Sequence, residues 1–265
     1  MLDLPRHRFS LTLAIALIAA GALAGVDKLT TARDAHEVFI AGLQVSPPET
    51  PSRYEVRANH DPNGTGRFYL GREIAQVMGP GGMAWLDRPE REEQEHPEVV
   101  IHAMSLHGGE VVADLGAGSG YFTFRLAAKV GKTGKVLAVE IQDEMLAALR
   151  QRAGELGVTN VEEVKGTATD PQLPAAGVDL VLMVDVYHEL AYPFEVMTKV
   201  RAALKPGGRV VFVEYRKEDP RVPIKEVHKM SVEQLEKEMT VVGLVHIRTV
   251  GSLPSQHIVI FAKRE

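Results

Sequence analysis

Val111-Val112-Ala113-Asp114-Leu115-Gly116-Ala117-Gly118-Ser119-Gly120 is the stretch that decides the fold. Four of its first five residues are apolar, at both alternating parities, the pattern of a strand covered on both faces. Glycines then stand at every second position. Glycine adopts φ > 0 and carries no side chain to hold a ligand away from the backbone. In open α/β sheets the first strand-to-helix turn is where the chain comes closest to its ligand.

Downstream, short apolar runs alternate with amphipathic stretches. Residues 121–130 read as a helix, 135–140 as a second strand and 143–156 as a helix with an acidic start. Strands follow at 160–165 and 178–184, a helix at 193–204, and a fifth strand at 209–214 after the turn Lys205-Pro206-Gly207-Gly208. Strands separated by helices imply crossover connections and a parallel sheet. A helix near 231–242 precedes two final strands at 244–250 and 257–261, whose short connection favours an antiparallel hairpin at the sheet edge. The expected fold is α/β, doubly wound and Rossmann-like, with a mostly parallel seven-stranded sheet and an antiparallel C-terminal hairpin.

Upstream, residues 67–78 read as a helix that stops at Gly79-Pro80-Gly81-Gly82; a second helix starts near Pro89 and is kinked or divided by Pro97. Residues 46–66 hold four prolines and Asp61-Pro62-Asn63-Gly64 and read as linker. At the N-terminus Arg6 and Arg8 precede an apolar run from Phe9 to Gly25, and Ala22-Leu23-Ala24 fits a small-x-small cleavage pattern. The expected division is therefore an export signal or membrane anchor over 1–24, an extension and linker over 25–66, a helical lid over 67–108 and a cofactor-binding domain over 109–265. A signal implies a periplasmic or secreted protein; an uncleaved run over 9–25 implies membrane attachment. The 265 residues contain no cysteine, which excludes disulfides, thiolate metal sites and a cysteine nucleophile. A net charge of −5 with scattered Lys and Arg excludes the basic field a nucleic-acid backbone needs, so no nucleic-acid partner is expected.

The ligand class follows from the loop's spacing and its neighbours. The nicotinamide fingerprint is G-x-G-x-x-G with a pyrophosphate at a helix N-terminus. Here the third glycine comes one residue early, and Asp114, just ahead of the loop, would repel pyrophosphate but can bind an amino group directly or through water. Glu140 ends the second strand, where a carboxylate accepts hydrogen bonds from a ribose diol. On these residues, 109–214 resemble class I S-adenosylmethionine (SAM)-dependent methyltransferases: Asp114 to Gly120 look like their first motif, Glu140 like their ribose acid, and Leu204-Lys205-Pro206-Gly207-Gly208 like their turn before strand five. The resemblance implies SAM as cofactor, held by Asp114, Gly116, Ala117, Gly118, Gly120, Tyr121, Glu140 and Ile141, the last against adenine. It also implies that the segment Asp185-Val186-Tyr187-His188 faces the methyl group. Where many relatives have Gly-Asp-Ala after strand three, this chain has Gly166-Thr167-Ala168; either Thr167 replaces the acid or Asp170 reaches in.

Candidates for chemistry cluster after strands four and five. His188 is the expected general base, oriented by Glu189 or Glu214, because its ordinary pKa lies near neutrality; the bland alternative is a helix-capping histidine. Asp185 is expected to shape the cofactor pocket. Three histidines, 188, 228 and 257, could converge with Glu214, but their separations are not local metal-ligand spacings, and no metal is assigned. The expected function is methyl transfer to a small-molecule acceptor. The alternatives are a nicotinamide-dependent oxidoreductase and a SAM-binding protein without catalysis.

Overall fold

The computed structural model describes residues 53–263. The signal or anchor expected over 1–24 lies outside the described residues. Among the described residues no helix is long and apolar enough to cross a membrane.

The chain opens with a three-stranded meander, β1 (Tyr54–Val56), β2 (Gly64–Tyr69) and β3 (Arg72–Ala75), in the order β1-β2-β3. This corrects two expectations, a linker running to residue 66 and a helix over 67–78. Leu70 and Gly71 both adopt positive φ, 49° and 94°, and join β2 to β3 in a two-residue turn. Phe68 and Tyr69 are strand formers, and the Glu73 carboxylate accepts the Gly66 and Asp61 amides across the hairpin. Helices follow: α1 (Met83–Leu86), α2 (Arg91–Glu95) and α3 (Pro97–Ala103). Pro97 starts α3 and His96 stands before it at φ 47°, so the expected second helix is divided there.

The remaining elements alternate as expected, except that β8 starts at Leu204, ahead of the expected turn, and that β9 was not expected: β4 (Val111–Leu115), α4 (Thr123–Val130), β5 (Lys135–Glu140), α5 (Asp143–Leu156), β6 (Val161–Lys165), β7 (Val178–Val184), α6 (Pro193–Ala203), β8 (Leu204–Arg216), the short β9 (Lys229–Met230), α7 (Val232–Val241), β10 (Leu244–Val250) and β11 (Gln256–Lys263). The main sheet runs β10-β11-β8-β7-β4-β5-β6, with β9 pairing β8. Strands β6, β5, β4, β7 and β8 are mutually parallel, whereas β11 is antiparallel to both β8 and β10. Chain order reverses direction between β4 and β7, and the carboxyl ends of those strands open the crevice where such sheets bind ligands.

Alternation along the strands builds two apolar layers. Leu115, Val139, Met183 and Phe212 pack with Met197 of α6 and Met239 of α7 on one face. Val112, Val136, Leu182 and Val211 pack with Val100 of α3 and Leu126 of α4 on the other. Local signals set the helix ends. Asp143 and Glu144 sit in the first turn of α5, where the helix dipole favours negative charge, and Gly157 closes it in the left-handed conformation at φ 63°. Ser231 caps α7 by accepting the Gln234 amide at 3.1 Å.

Candidate functional site

A cavity of about 660 Å³ lies over the carboxyl ends of β4, β5 and β7, within the roughly 300–1,000 Å³ typical of small-molecule sites. Its floor is the glycine loop. Gly116, Gly118 and Gly120 have φ of 77°, 55° and 92°. A Cβ on Gly116 would stand 2.5 Å from a Val186 methyl, and Gly118 is held at a positive φ that side-chain-bearing residues rarely adopt, so the backbone is bare here.

Glu140, at the end of β5, is buried and lines the cavity. Its Oε1 accepts the Ile141 and Gln142 amides at 2.6 and 3.0 Å, and its Oε2 accepts the Gly118 amide at 3.1 Å. Oε1 is thereby filled, and Oε2 keeps acceptor capacity for a ligand hydroxyl. Ile141 presents an exposed apolar side chain beside it, and Thr167 completes that wall. Asp170 does not reach in: its carboxylate accepts the Gln172 amide and pairs with Lys199.

Asp185 follows β7 in the left-handed region, φ 53°, and lines the cavity. Oδ2 accepts from Gln256 Nε2 at 2.6 Å, while Oδ1 is buried without a partner. Burial, with Glu95 and Glu214 nearby, pushes its carboxyl well above the usual carboxylate range. An orphaned buried acceptor of this kind costs free energy until a donor arrives.

At the far end His188 is buried, with Nδ1 donating to Glu214 Oε2 at 2.5 Å. Glu214 is itself fixed by accepting the Tyr187 amide at 2.9 Å. Arg72 of β3 donates to the His188 carbonyl at 3.2 Å and grips Glu238 of α7 through two bonds of 2.8 and 3.0 Å. Tyr187 also donates to Glu238, at 2.6 Å. His188 Nε2 lies 3.1 Å from His228 Nδ1 and 3.9 Å from Glu189 Oε1. Burial pushes the Glu189 carboxyl up to about 7 and the His228 imidazole down to about 4.

Of the residues expected to hold the cofactor, Gly116, Gly118, Glu140, Ile141, Thr167 and Asp185 line the cavity, whereas Asp114, Ala117, Gly120 and Tyr121 do not. Asp114 shares the parity of Val112 and so faces α4, where Oδ2 accepts from Thr123 Oγ1 at 2.6 Å; its burial raises the carboxyl to about 6. Tyr121 donates to Glu92 at 2.6 Å beneath the Arg91 guanidinium. His188 and Glu189 line the cavity, and Glu214 stands directly behind His188. His257 pairs opposite Glu214 across the β8–β11 ladder and lies 4.0 Å from Glu218, but it does not line the cavity. Sequence reasoning missed Glu95, Gln142 and Gln256. Their signal was weak: Glu95 forms an i,i+4 pair with Arg91, but such pairs are common on exposed helices.

Comparison with known proteins adds four findings. Residues 106–257 match the model of a family described as a methyltransferase domain. A SAM-dependent methyltransferase from Aquifex aeolicus has a similar structure, with a TM-score of 0.67 and 26% identity over 71% of this chain and 100% of that one. A SAM-dependent methyltransferase from Mesorhizobium loti shares the fold at a TM-score of 0.53 and 18% identity, over 67% of this chain and 100% of its own. The ubiquinone/menaquinone biosynthesis C-methyltransferase of Salmonella arizonae is 30% identical over 118 residues, 44% of this chain; the match spans about half, 47%, of that relative.

Proposed function

This chain belongs to the methyltransferase-domain family, and from that membership we propose that it transfers the methyl group of SAM to a small-molecule acceptor bound at the His188 end of the cavity. The observation that carries the proposal is one cavity with two chemically distinct ends: bare loop backbone and the Glu140 carboxylate at one, the His188–Glu214 pair at the other. SAM supplies a methyl group already activated on a sulfonium, so the protein has to hold it, align the acceptor and manage a proton.

Each residue has a task that suits its chemistry. Gly116 and Gly118 let the cofactor approach the backbone, and Glu140 Oε2 accepts from a ribose hydroxyl. Ile141 and Thr167 flank the base. Asp185 Oδ1, rather than Asp114, is the acceptor for the amino-acid end, since it is unpartnered and the ammonium charge of the cofactor would ionise the carboxyl that burial holds neutral. His188, with Nδ1 held by Glu214, turns Nε2 toward the acceptor and is the group positioned to take its proton.

The acceptor is read from this cavity, whose walls include Val77, Met78, Trp85, Leu190 and Ile224. These favour a largely apolar small molecule with one reactive polar or acidic position. The Salmonella relative is named as a C-methyltransferase of ubiquinone and menaquinone biosynthesis, which fits that class of acceptor. Residues 67–108 serve as the cover over the cavity, as a hairpin followed by helices. Residues 1–24 act as an export signal or anchor; anchoring with the domain in the cytoplasm reconciles them with the supply of SAM. A C-terminal reporter fusion decides the side, and an external domain would contradict anchoring on the cytoplasmic face.

The test is methyl-labelled SAM supplied to extracts with wild type and His188→Ala. Labelled product is expected with wild type, and a rate about 10²–10⁴-fold lower with the variant at unchanged SAM affinity. No product and no SAM binding by wild type would end the proposal.

A further inference from the structure

His188 and Glu189 stand on the turn after β7, and His228 on the turn before β9, 40 residues away in sequence. All three line the cavity. One donor atom from each, His188 Nε2, His228 Nδ1 and Glu189 Oε1, forms a triangle with edges of 3.1, 3.6 and 3.9 Å. A triangle with those edges has a circumscribed radius of about 2.1 Å, so one point lies about 2.1 Å from all three atoms, inside the roughly 2.0–2.2 Å range of zinc bonds to imidazole nitrogen and carboxylate oxygen.

We propose that His188, Glu189 and His228 bind a first-row divalent metal ion, zinc by preference, with its open coordination position facing the acceptor end of the cavity. Two imidazoles and one carboxylate are a ligand set of catalytic rather than structural type, which leaves room for an exogenous ligand. Two nitrogens among three donors favour zinc, cobalt or nickel over magnesium or calcium.

The surroundings complete such a site. Metal-bound histidines usually donate their second nitrogen to a carboxylate, which fixes the tautomer. His188 does this: Nδ1 donates to Glu214 Oε2, leaving the Nε2 lone pair for the metal. Glu214 is anchored in turn by the Tyr187 amide. Glu189 is held through its other oxygen, which accepts the Met78 amide at 3.3 Å, leaving Oε1 toward the two rings. His228 is fixed by its own amide, which donates to the Lys225 carbonyl at 3.0 Å. Two turns therefore hold the three donors at their spacing before any ion arrives.

The inference deepens the proposed function at one atom. A metal on His188 Nε2 would replace the general-base role of that nitrogen: an oxygen or sulfur of the acceptor would bind the ion, release its proton to solvent and be methylated as the anion. The acceptor class narrows to molecules that present such a ligand at the methylated position.

The experiment uses the full chain, free of any affinity tag and stripped with a chelator, titrated with Zn²⁺ and separately with Co²⁺. Bound metal is counted after desalting, and the cobalt form is read by its visible absorption. The expected result is one ion per chain with the intense spectrum of low-coordinate cobalt, lost in His228→Ala and in Glu189→Gln, and affinity about 10–100-fold weaker in Glu214→Gln. SAM binding by each variant reports that it is folded, since that rests on the glycine loop and Glu140. If a variant does not fold, the wild-type cobalt spectrum decides alone. Wild type that retains no ion, or variants that retain it as wild type does, would overturn the site. Absence of SAM binding by wild type strikes the proposed function and leaves the metal count standing, so the two failures are distinguishable.

Discussion

The substitution Glu140→Gln exchanges a carboxylate oxygen for an amide nitrogen and should weaken SAM binding by an amount that can be worked from the hydrogen bonds. Oε1 already accepts two amides, from Ile141 and Gln142, and Oε2 accepts one, from Gly118. A carboxylate offers about four acceptor positions, so roughly one remains, on Oε2. The side-chain amide of the variant would keep its carbonyl where Oε1 was, because two donors point there, and would turn its NH₂ toward Gly118 and the cavity. The free acceptor is then lost and a donor replaces it. A hydrogen bond to a charged acceptor contributes about 1.5–3 kcal/mol net, which corresponds to roughly 10- to 150-fold in affinity. Isothermal titration with SAM measures it directly. The loop is also loosened, because Gly118 loses its acceptor, so the larger end of the range is expected. A change below about threefold in a variant that unfolds at the wild-type temperature would refute the assignment of Glu140 to the ribose.

Arg72→Met should destabilise the protein by about 3–5 kcal/mol in urea unfolding, because it strands Glu238 in the interior. Combining it with Glu238→Leu should recover most of that loss, less the cost of the partner taken from Tyr187 and from Gln234; a double variant no more stable than Arg72→Met would contradict a charge-burial cause. Asp114 is raised from 3.8 to about 6 by burial, so the folded chain keeps this proton over a pH range in which the unfolded chain has released it. Folding stability should therefore fall as pH rises from about 4 to about 6, and the fall should be smaller by on the order of 3 kcal/mol in Asp114→Asn, the raised carboxyls of Glu189 and Asp185 supplying the remainder. Equal slopes for wild type and variant, measured without cofactor, would remove the assignment.

The sheet was legible because covered strands leave a strong trace. Apart from Asp114 and Asp179, Val111 to Leu115 and Val178 to Val184 are apolar at both parities, and the helices between them carry end signals such as Asp143 and Gly157. The stretch from Gly64 to Ala75 was not, since Arg67, Glu73 and other polar residues break the alternation and imitate an amphipathic helix. Gly71 was the local signal against a helix, and the hairpin is stabilised by contacts no local pattern contains, chiefly Arg72 on Glu238 and the His188 carbonyl. In the site, residues fixed by a strand end were readable: Glu140 and His188 stand where the carboxyl ends of β5 and β7 put them. Asp114, expected at the cofactor's amino group, shares the face of Val112 and accepts from Thr123 of α4, as alternation requires. Convergence of His228 on His188 and Glu189 depends on how the loop after β8 returns to pair as β9, and spacing along the chain does not encode that.

The central claim is that the cavity over β4, β5 and β7 takes SAM, and the most direct test is parallel calorimetric titration of the full chain with SAM and with NAD. One molecule of SAM should bind per chain while NAD gives no heat beyond dilution. Saturable binding of NAD with none of SAM would contradict the account.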